Sequence, residues 1–199
     1  CYKDAAEDPL AKENPPLTTV NWEQAPVSRP ESTLIGSMYQ SVGAKADTVV
    51  TDSSLWFYDG CNLTDGQSFP QTIMGEYDRY VPGLPGPRNA DVLAHSPVPG
   101  QHNWSDMTYF TAAGNGGGVL ASGSASFVGQ LSHTGLIPPN VVPGPVPGVS
   151  DIFNRAMENL YGRFGLGPAS SYGSSGGNWS AAYTGAAASA ASAAGTVSA

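Results

Sequence analysis

The chain has 199 residues, which is enough for one sizeable core and is most simply explained by a single domain followed by a tail. Charged residues make up only 12% and hydrophobic residues 40%, beside 25 glycines and 17 prolines. This composition excludes disorder throughout and is too rich in loop formers for a helical bundle, so we predict a β-rich domain with long connections. The net charge is −8 without any cluster of Lys and Arg, which excludes nucleic-acid binding. No apolar run approaches the ~20 residues of a membrane span.

Residues 1–45 are predicted to form an N-terminal arm. Its first 31 residues carry nine charged side chains and five prolines without a sustained period. Residues 18–22 favour one short strand, whereas residues 34–39 fit a strand or a helix equally well. Because the sequence begins with Cys1 and has neither an initiator methionine nor a signal-peptide pattern, we expect a processed chain or part of a longer one.

Residues 46–165 are predicted to form the core. Several segments are predicted as strands, mostly because they are rich in β-branched and aromatic residues. These segments are residues 48–51, 55–58, 71–77, 91–95 (stopped by Pro97) and 106–111.

The strand at residues 106–111 is predicted to turn at residues 114–117, where Asn-Gly allows a tight hairpin. The returning strand, residues 118–128, consists mainly of small residues. No Asp, Glu, Lys or Arg occurs between Asp106 and Asp151. Because burying an unpaired charge is costly, we expect this returning strand to be central and covered on both faces.

One helix is predicted at residues 151–161. Ser150 is expected to cap its N-terminus and Gly162 to end it. Its apolar side chains recur on one face: Phe153, Ala156, Met157, Leu160 and Tyr161. Residues 166–199 are almost entirely Gly, Ser and Ala with a few aromatics, and are predicted to be a low-complexity tail without a core of its own.

The densest group of chemically capable side chains is Glu76-Tyr77-Asp78-Arg79. On a strand, Glu76 and Asp78 would share a face, where a carboxylate pair can bind a metal or move protons. An acidic, solvated strand end balanced by Arg79 is the alternative. We expect Glu76 to face inward, Tyr77 to face the other way, and Gly75 to leave room for a close backbone approach.

The three histidines, His95, His102 and His133, lack the paired spacing of metal ligands. A histidine alone in a loop is most often an ordinary polar side chain, which is what we predict for all three. The residues alone therefore give no complete active site.

Three tripeptides fit the acceptor pattern for N-glycans, at Asn62, Asn103 and Asn178. They favour a secreted, extracellular glycoprotein. The two cysteines, Cys1 and Cys61, would be free thiols in the cytosol. In an oxidising compartment they would form a disulfide, and the turn around Cys61 is expected to leave its thiol exposed enough to pair.

Seven groups of residues occur in a recognisable order over residues 1–131. They are Cys1-Tyr2-Lys3-Asp4 with Asp8-Pro9; residues 29–36; Trp56-Phe57 with Asp65-Gly66; residues 74–79; residues 92–97; residues 105–110; and residues 118–124. As an ordered set they resemble the C-terminal part of the large-subunit domain of N,N-dimethylformamidase and its relatives.

The resemblance implies an α/β layered sheet similar to the C-terminal part of a glutamine-amidotransferase-like domain. It also implies an amide-hydrolysing ancestor with a mononuclear iron held by tyrosine and carboxylate oxygens, which suit a Lewis acid that activates water. Part of the family's site is a His-Asp-Glu-Tyr-Trp segment upstream of the Cys-Tyr-x-Asp start, and this sequence contains no such segment. The acidic segment is present, so Glu76 is carried over as the site carboxylate. The loop around Cys61 and the Leu55 before Trp56 depart from the family pattern.

We therefore expect the C-terminal segment of a dimethylformamidase-like protein, not catalytic alone and part of a larger secreted glycoprotein. Its partners would be other protein chains or the missing N-terminal part. The alternative is a subunit or fragment of an iron-dependent amidohydrolase that acts on small amides.

Overall fold

The computed structural model describes residues 1–112, 116–131 and 146–167. Its strands are β1 (Met38–Val49), β2 (Ser68–Arg79), β3 (Asp91–Val98), β4 (Asn103–Thr111) and β5 (Gly118–Ala121). Its α-helices are α1 (Leu10–Glu13), α2 (Ser32–Ile35), α3 (Ser126–Leu131) and α4 (Val149–Gly165). Residues 113–115 of the predicted hairpin turn and residues 168–199 of the predicted tail lie outside these ranges.

The strands form two antiparallel sheets that join at their edges. β1 pairs with β2, while the second sheet has the order β3-β4-β5. Isolated bridges at Val50–Ala94 and Tyr77–Ser124 connect the two sheets. The predicted β-rich α/β class is confirmed, whereas the likeness to a glutamine-amidotransferase fold is not confirmed by these pairings.

β3 and β4 form the centre of the molecule. All but one of the eight residues of β3 are buried, and so are six consecutive residues of β4. A strand covered on both faces is buried nearly continuously rather than at alternate positions, as these two strands are. β3 also continues past the predicted stop at Pro97 to Val98, because the partly exposed end of a strand tolerates a proline.

The returning segment, residues 118–128, differs from its prediction in two ways. β5 ends at Ala121, and it lies at the edge of its sheet, so β4 and not β5 is central. The chain then turns at Gly123, which has φ +74° and where an added Cβ would lie 2.5 Å from the carbonyl oxygen of Asp106. Ser126 follows in α3 and binds β2, donating to the carbonyl of Thr72 at 2.6 Å. The small residues here thus allow a close crossing rather than a longer strand.

The predicted strand at residues 55–58 is instead a turn of 3₁₀ helix, Trp56–Tyr58. Phe57 and Tyr58 are both buried although they are consecutive, so the alternation of a half-exposed strand is absent. α4 holds this turn in place. The Asn159 side chain donates to the carbonyls of Phe57 at 3.0 Å and of Asp59 at 2.8 Å.

The predicted helix is confirmed and is longer than expected. α4 begins at Val149 after Gly148 in the N-cap position, so Ser150 is not the cap, and the helix continues through Gly162 to Gly165. Its buried face packs Phe153 against the rings of Phe69 and Phe127, whose centroids lie 5.6 and 5.1 Å away. Tyr161, predicted on this face, is 67% exposed.

The N-terminal arm is organised by the carboxylate of Asp8, which is buried. It accepts hydrogen bonds from the backbone N–H of Thr19 at 2.8 Å and from the hydroxyl of Thr19 at 2.7 Å. These two bonds, the backbone bond first, lower the pKa of Asp8 because they favour its charged form. The strand predicted at residues 18–22 is absent, and β1 begins at Met38, inside the segment predicted as arm.

Replacing Phe153 with alanine should lower the free energy of unfolding by about 3–5 kcal/mol, because it removes a buried ring and leaves a cavity. Tyr161→Ala on the same helix is the matched control, with an expected change within about 0.5 kcal/mol, since that ring is exposed. Urea denaturation of both variants measures the difference. Equal losses for the two variants would contradict the packing described for α4.

Candidate functional site

The orientation of the acidic segment is opposite to the prediction. Tyr77 is fully buried, and Glu76 is exposed. The Tyr77 ring packs with Ala44, Ile73 and Val98, and its hydroxyl donates to Oε1 of Gln101 at 3.0 Å. An aromatic ring gains more from burial than an unpaired carboxylate, whose burial is costly, so the ring takes the inner face. The prediction that Glu76 faces inward was therefore wrong.

The backbone around Glu76 is irregular. The register between β1 and β2 shifts between the Ser41–Tyr77 and Ala44–Gly75 pairs, which places one extra residue in β1. Gly75 has φ +80°, a conformation that favours glycine, but a Cβ added there would meet nothing within 4 Å. Gly75 is thus needed for its backbone angle and not, as expected, for a close approach.

Asp78 occupies the second acidic position and is half-buried. Its pKa is raised to about 6, first by burial and then by the charges of Glu76 and Glu31. The guanidinium of Arg79, which was expected to balance it, instead donates to Oδ1 of Asn103 at 2.9 Å. We call Glu31, Glu76 and Asp78 the acidic face. Its three carboxylates lie close enough for two of them to disfavour the charge of the third.

A pair that the sequence analysis missed lies inside the second sheet. His95 and Asp106 face each other across β3 and β4, both buried, with Nδ1 of His95 2.5 Å from Oδ1 of Asp106. In the tautomer that carries its hydrogen on Nδ1, the His95 ring donates to this oxygen. The other oxygen of Asp106 accepts the backbone N–H of Tyr80 at 2.8 Å. His95, predicted to be an ordinary loop histidine, therefore lies on a strand and is part of a buried polar pair.

The indole of Trp104 covers the imidazole of His95. The two rings are stacked with centroids 5.3 Å apart and an interplanar angle of 17°. Because the pair is enclosed by strands and by this ring, we interpret it as a structural link between β3 and β4 and not as a group that contacts a substrate. The sequence offered one signal for this pair, namely Asp106 as the one acidic or basic residue of an otherwise uncharged strand.

The expected disulfide is not formed. Cys1 and Cys61 are both free thiols, the first exposed and the second buried, so the expectation of an accessible Cys61 was wrong. The Cys61 thiol lies 3.7 Å from the carbonyl oxygen of Ile152 in α4, and burial raises its pKa. The loop thus packs its cysteine against the helix instead of presenting it to solvent.

The three candidate glycan acceptors are placed differently. Asn62 is exposed and has φ +53° in the turn after Cys61. Asn103 is half-buried, and its amide oxygen is bound to Arg79. Asn178 lies outside the described residues. Glycosylation and an extracellular location stay predictions.

The iron that the resemblance implies would need several side-chain ligands close together. Within residues 1–112, 116–131 and 146–167, no group of three or more His, Cys, Asp or Glu side chains is arranged to hold a metal ion. The described His, Cys, Asp and Glu side chains therefore do not by themselves form an iron centre. No helix in these ranges is long and apolar enough to cross a membrane.

Together, the fold and the acidic face define a β-rich α/β domain with carboxylates on an open strand face and, in its described part, no metal-binding group of His, Cys, Asp and Glu. Residues 1–140, more than half of the chain, match the family described as N,N-dimethylformamidase beta subunit-like, C-terminal. The chain belongs to this family, which confirms the resemblance seen in its motifs. No curated protein sequence matches the chain significantly.

Asp78→Asn should raise the melting temperature at pH 7, because it removes a charge that burial and two neighbouring carboxylates disfavour. A carboxyl with a raised folded pKa contributes stability below its unfolded pKa of about 4, and this contribution is lost as the pH rises through about 6. The gain should therefore be absent below pH ~4 and grow up to pH ~6. Thermal melting from pH 4 to 8 measures it.

Glu158→Gln, which changes an exposed carboxylate on α4, is the control and should show no such growth. A variant Asp78→Asn that melts below the parent protein at pH 7 would show that the Asp78 charge is compensated.

Proposed function

We propose that this chain is the C-terminal segment of a dimethylformamidase-like protein and that it does not hydrolyse amides alone. The observation that carries this proposal is the position of Glu76. Its carboxylate is exposed on β2, beside Asp78, while the part of the chain described here assembles no metal site around it. The match to a family of C-terminal, beta-subunit-like regions supports the proposal that the chain is a C-terminal segment.

Glu76 is the proposed site carboxylate because of what amide hydrolysis requires. Water must add to the amide carbon, the C–N bond must break, and a proton must reach the leaving amine. A carboxylate that accepts a proton from water, or binds the group that polarises the amide, serves this chemistry. An exposed carboxylate on a single strand lacks the donors and the excluded water that such a step needs. The remaining groups would come from other protein chains or from an N-terminal part.

The alternative function is a subunit or fragment of an iron-dependent amidohydrolase that acts on small amides. It differs from the first proposal only because it requires iron. It needs carboxylate or tyrosine oxygens from outside the acidic face, since Glu31, Glu76 and Asp78 do not form a metal group among the described residues. Iron would supply a Lewis acid there.

A second candidate, a secreted structural glycoprotein, rests on Asn62. This acceptor is exposed in the turn after Cys61, and so it is accessible to a glycan. In this case the acidic face would have no chemical role, and replacing Glu76 would leave every activity of the native assembly unchanged.

The discriminating assay measures release of dimethylamine from N,N-dimethylformamide by the isolated chain and by the native assembly that contains it. We expect no release by the isolated chain. In the assembly, Glu76→Gln should reduce kcat at least about 100-fold, since a general base contributes ~10²–10⁴. The melting temperature of this variant should not fall, because Glu76 is exposed and its charge disfavours that of Asp78.

Glu158→Gln is the matched control and should leave kcat unchanged. Hydrolysis by the isolated chain would refute the proposal that it is incomplete. Full activity of the Glu76→Gln assembly would refute the role of Glu76, and an assembly that is glycosylated at Asn62 and inactive would favour the structural alternative.

A further inference from the structure

A groove lies between the N-terminal arm and α2. Its volume is about 420 Å³. We call it the arm–helix groove, and its lining combines apolar side chains with one acid and one base: Cys1, Lys3, Val20, Asn21, Trp22, Glu31, Leu34 and Ile35.

The apolar part of the groove is open to solvent. Trp22 is 51% and Leu34 57% exposed, although both are large hydrophobic side chains. Single exposed hydrophobic residues are common, but neighbouring ones that line one concave surface mark a docking site. A tryptophan beside aliphatic side chains is also the kind of anchor found at the centre of protein interfaces.

The acidic part of the groove lacks a partner for its charge. One carboxylate oxygen of Glu31, Oε2, is shielded from solvent and accepts no hydrogen bond. Lys3 lines the same groove, but no ion pair joins it to Glu31 in the described part of the chain. Glu31 also belongs to the acidic face, because its charge acts on Asp78. A buried acceptor without a donor is costly, and a cation supplied from outside would relieve this cost.

We propose that the arm–helix groove binds a segment of another protein chain that carries an Arg or Lys between apolar side chains, with the cation at Glu31 and the apolar groups on Trp22 and Leu34. The inference rests on the proposed function, in which another chain completes the site, and it names the chemistry of that partner. A second copy of this chain fits less well, because each copy has a net charge of −8 and the copies would repel.

Because α2 leads into β1, whose Tyr39 is paired with Asp78 of β2, a segment seated in the groove would lie beside the acidic face. Its binding would therefore bring a second chain to the strand that carries Glu76. This arrangement explains why an exposed carboxylate and an exposed apolar groove occur on neighbouring elements.

The test uses the full 199-residue chain and two capped hexapeptides as probes, one of alternating leucine and arginine and one of alternating leucine and glutamate. Isothermal titration calorimetry should show at least about tenfold tighter binding of the arginine peptide, since a charged hydrogen bond is worth that much. Glu31→Gln and Leu34→Glu should each weaken its binding several-fold.

Two matched controls separate groove binding from general attraction to an acidic protein. Glu158→Gln removes the same charge as Glu31→Gln, and Leu166→Glu adds a charge at another exposed leucine, just after α4. Both should leave the affinity unchanged, and thermal melting should confirm that all four variants are folded.

Absence of binding, equal affinity for both peptides, or equal weakening by Glu158→Gln would overturn the proposal. Binding that is seen only after removal of residues 168–199 would assign the groove to the chain's own C-terminal residues. A dimer in light scattering that Leu34→Glu dissociates would assign it to a second copy. The titration needs no catalysis, so its failure is distinct from a failure of the proposed amide chemistry.

Discussion

The fold depends on the hydrogen bonds of one buried side chain, the carboxyl group of Asp106. A polar group removed from water is tolerated only when hydrogen-bond partners surround it, and Asp106 has them in the ring of His95 on β3 and in the backbone N–H of Tyr80 just after β2. The carbonyl oxygen of Asp106 also lies so close to residue 123 that only glycine fits there. Through its side chain and its carbonyl, Asp106 of β4 therefore connects the two sheets and the turn that leads into α3.

The orientation of β2 follows from this arrangement. With its C-terminal end fixed at Asp106, β2 presents Tyr77 to the core and Glu76 to the outside. Over residues 76–78 the strand alternates, so Asp78 follows Glu76 to the outer face, where no ion pair of the described chain involves either carboxylate. We interpret the acidic strand face and the neighbouring apolar groove as a surface that another chain covers. The family match to a C-terminal region agrees with this interpretation.

Local patterns predicted α4 and parts of β2, β3 and β4, but not the turn at residues 56–58 or the surroundings of each element. The apolar period around Phe153 predicts α4, and residues 71–77 lie within β2, because both signals are contained in a few neighbouring residues. The sequence could not decide which face of β2 is buried, because one face carries a tyrosine and the other carries two carboxylates with possible chemical roles. The His95–Asp106 pair depends on the register between β3 and β4, which no spacing along the chain specifies. The order of the family motifs, by contrast, identified the family before any contact was known.

The central claim is that the face bearing Glu76 is open in this chain and covered in the native assembly. Carbodiimide labelling of carboxylates, read residue by residue by mass spectrometry, tests it most directly. In the isolated chain Glu76 and Glu158 are both exposed and should both be labelled. In the native assembly Glu76 should be protected while Glu158 remains labelled. Labelling of Glu76 to the same extent in both samples would contradict the account.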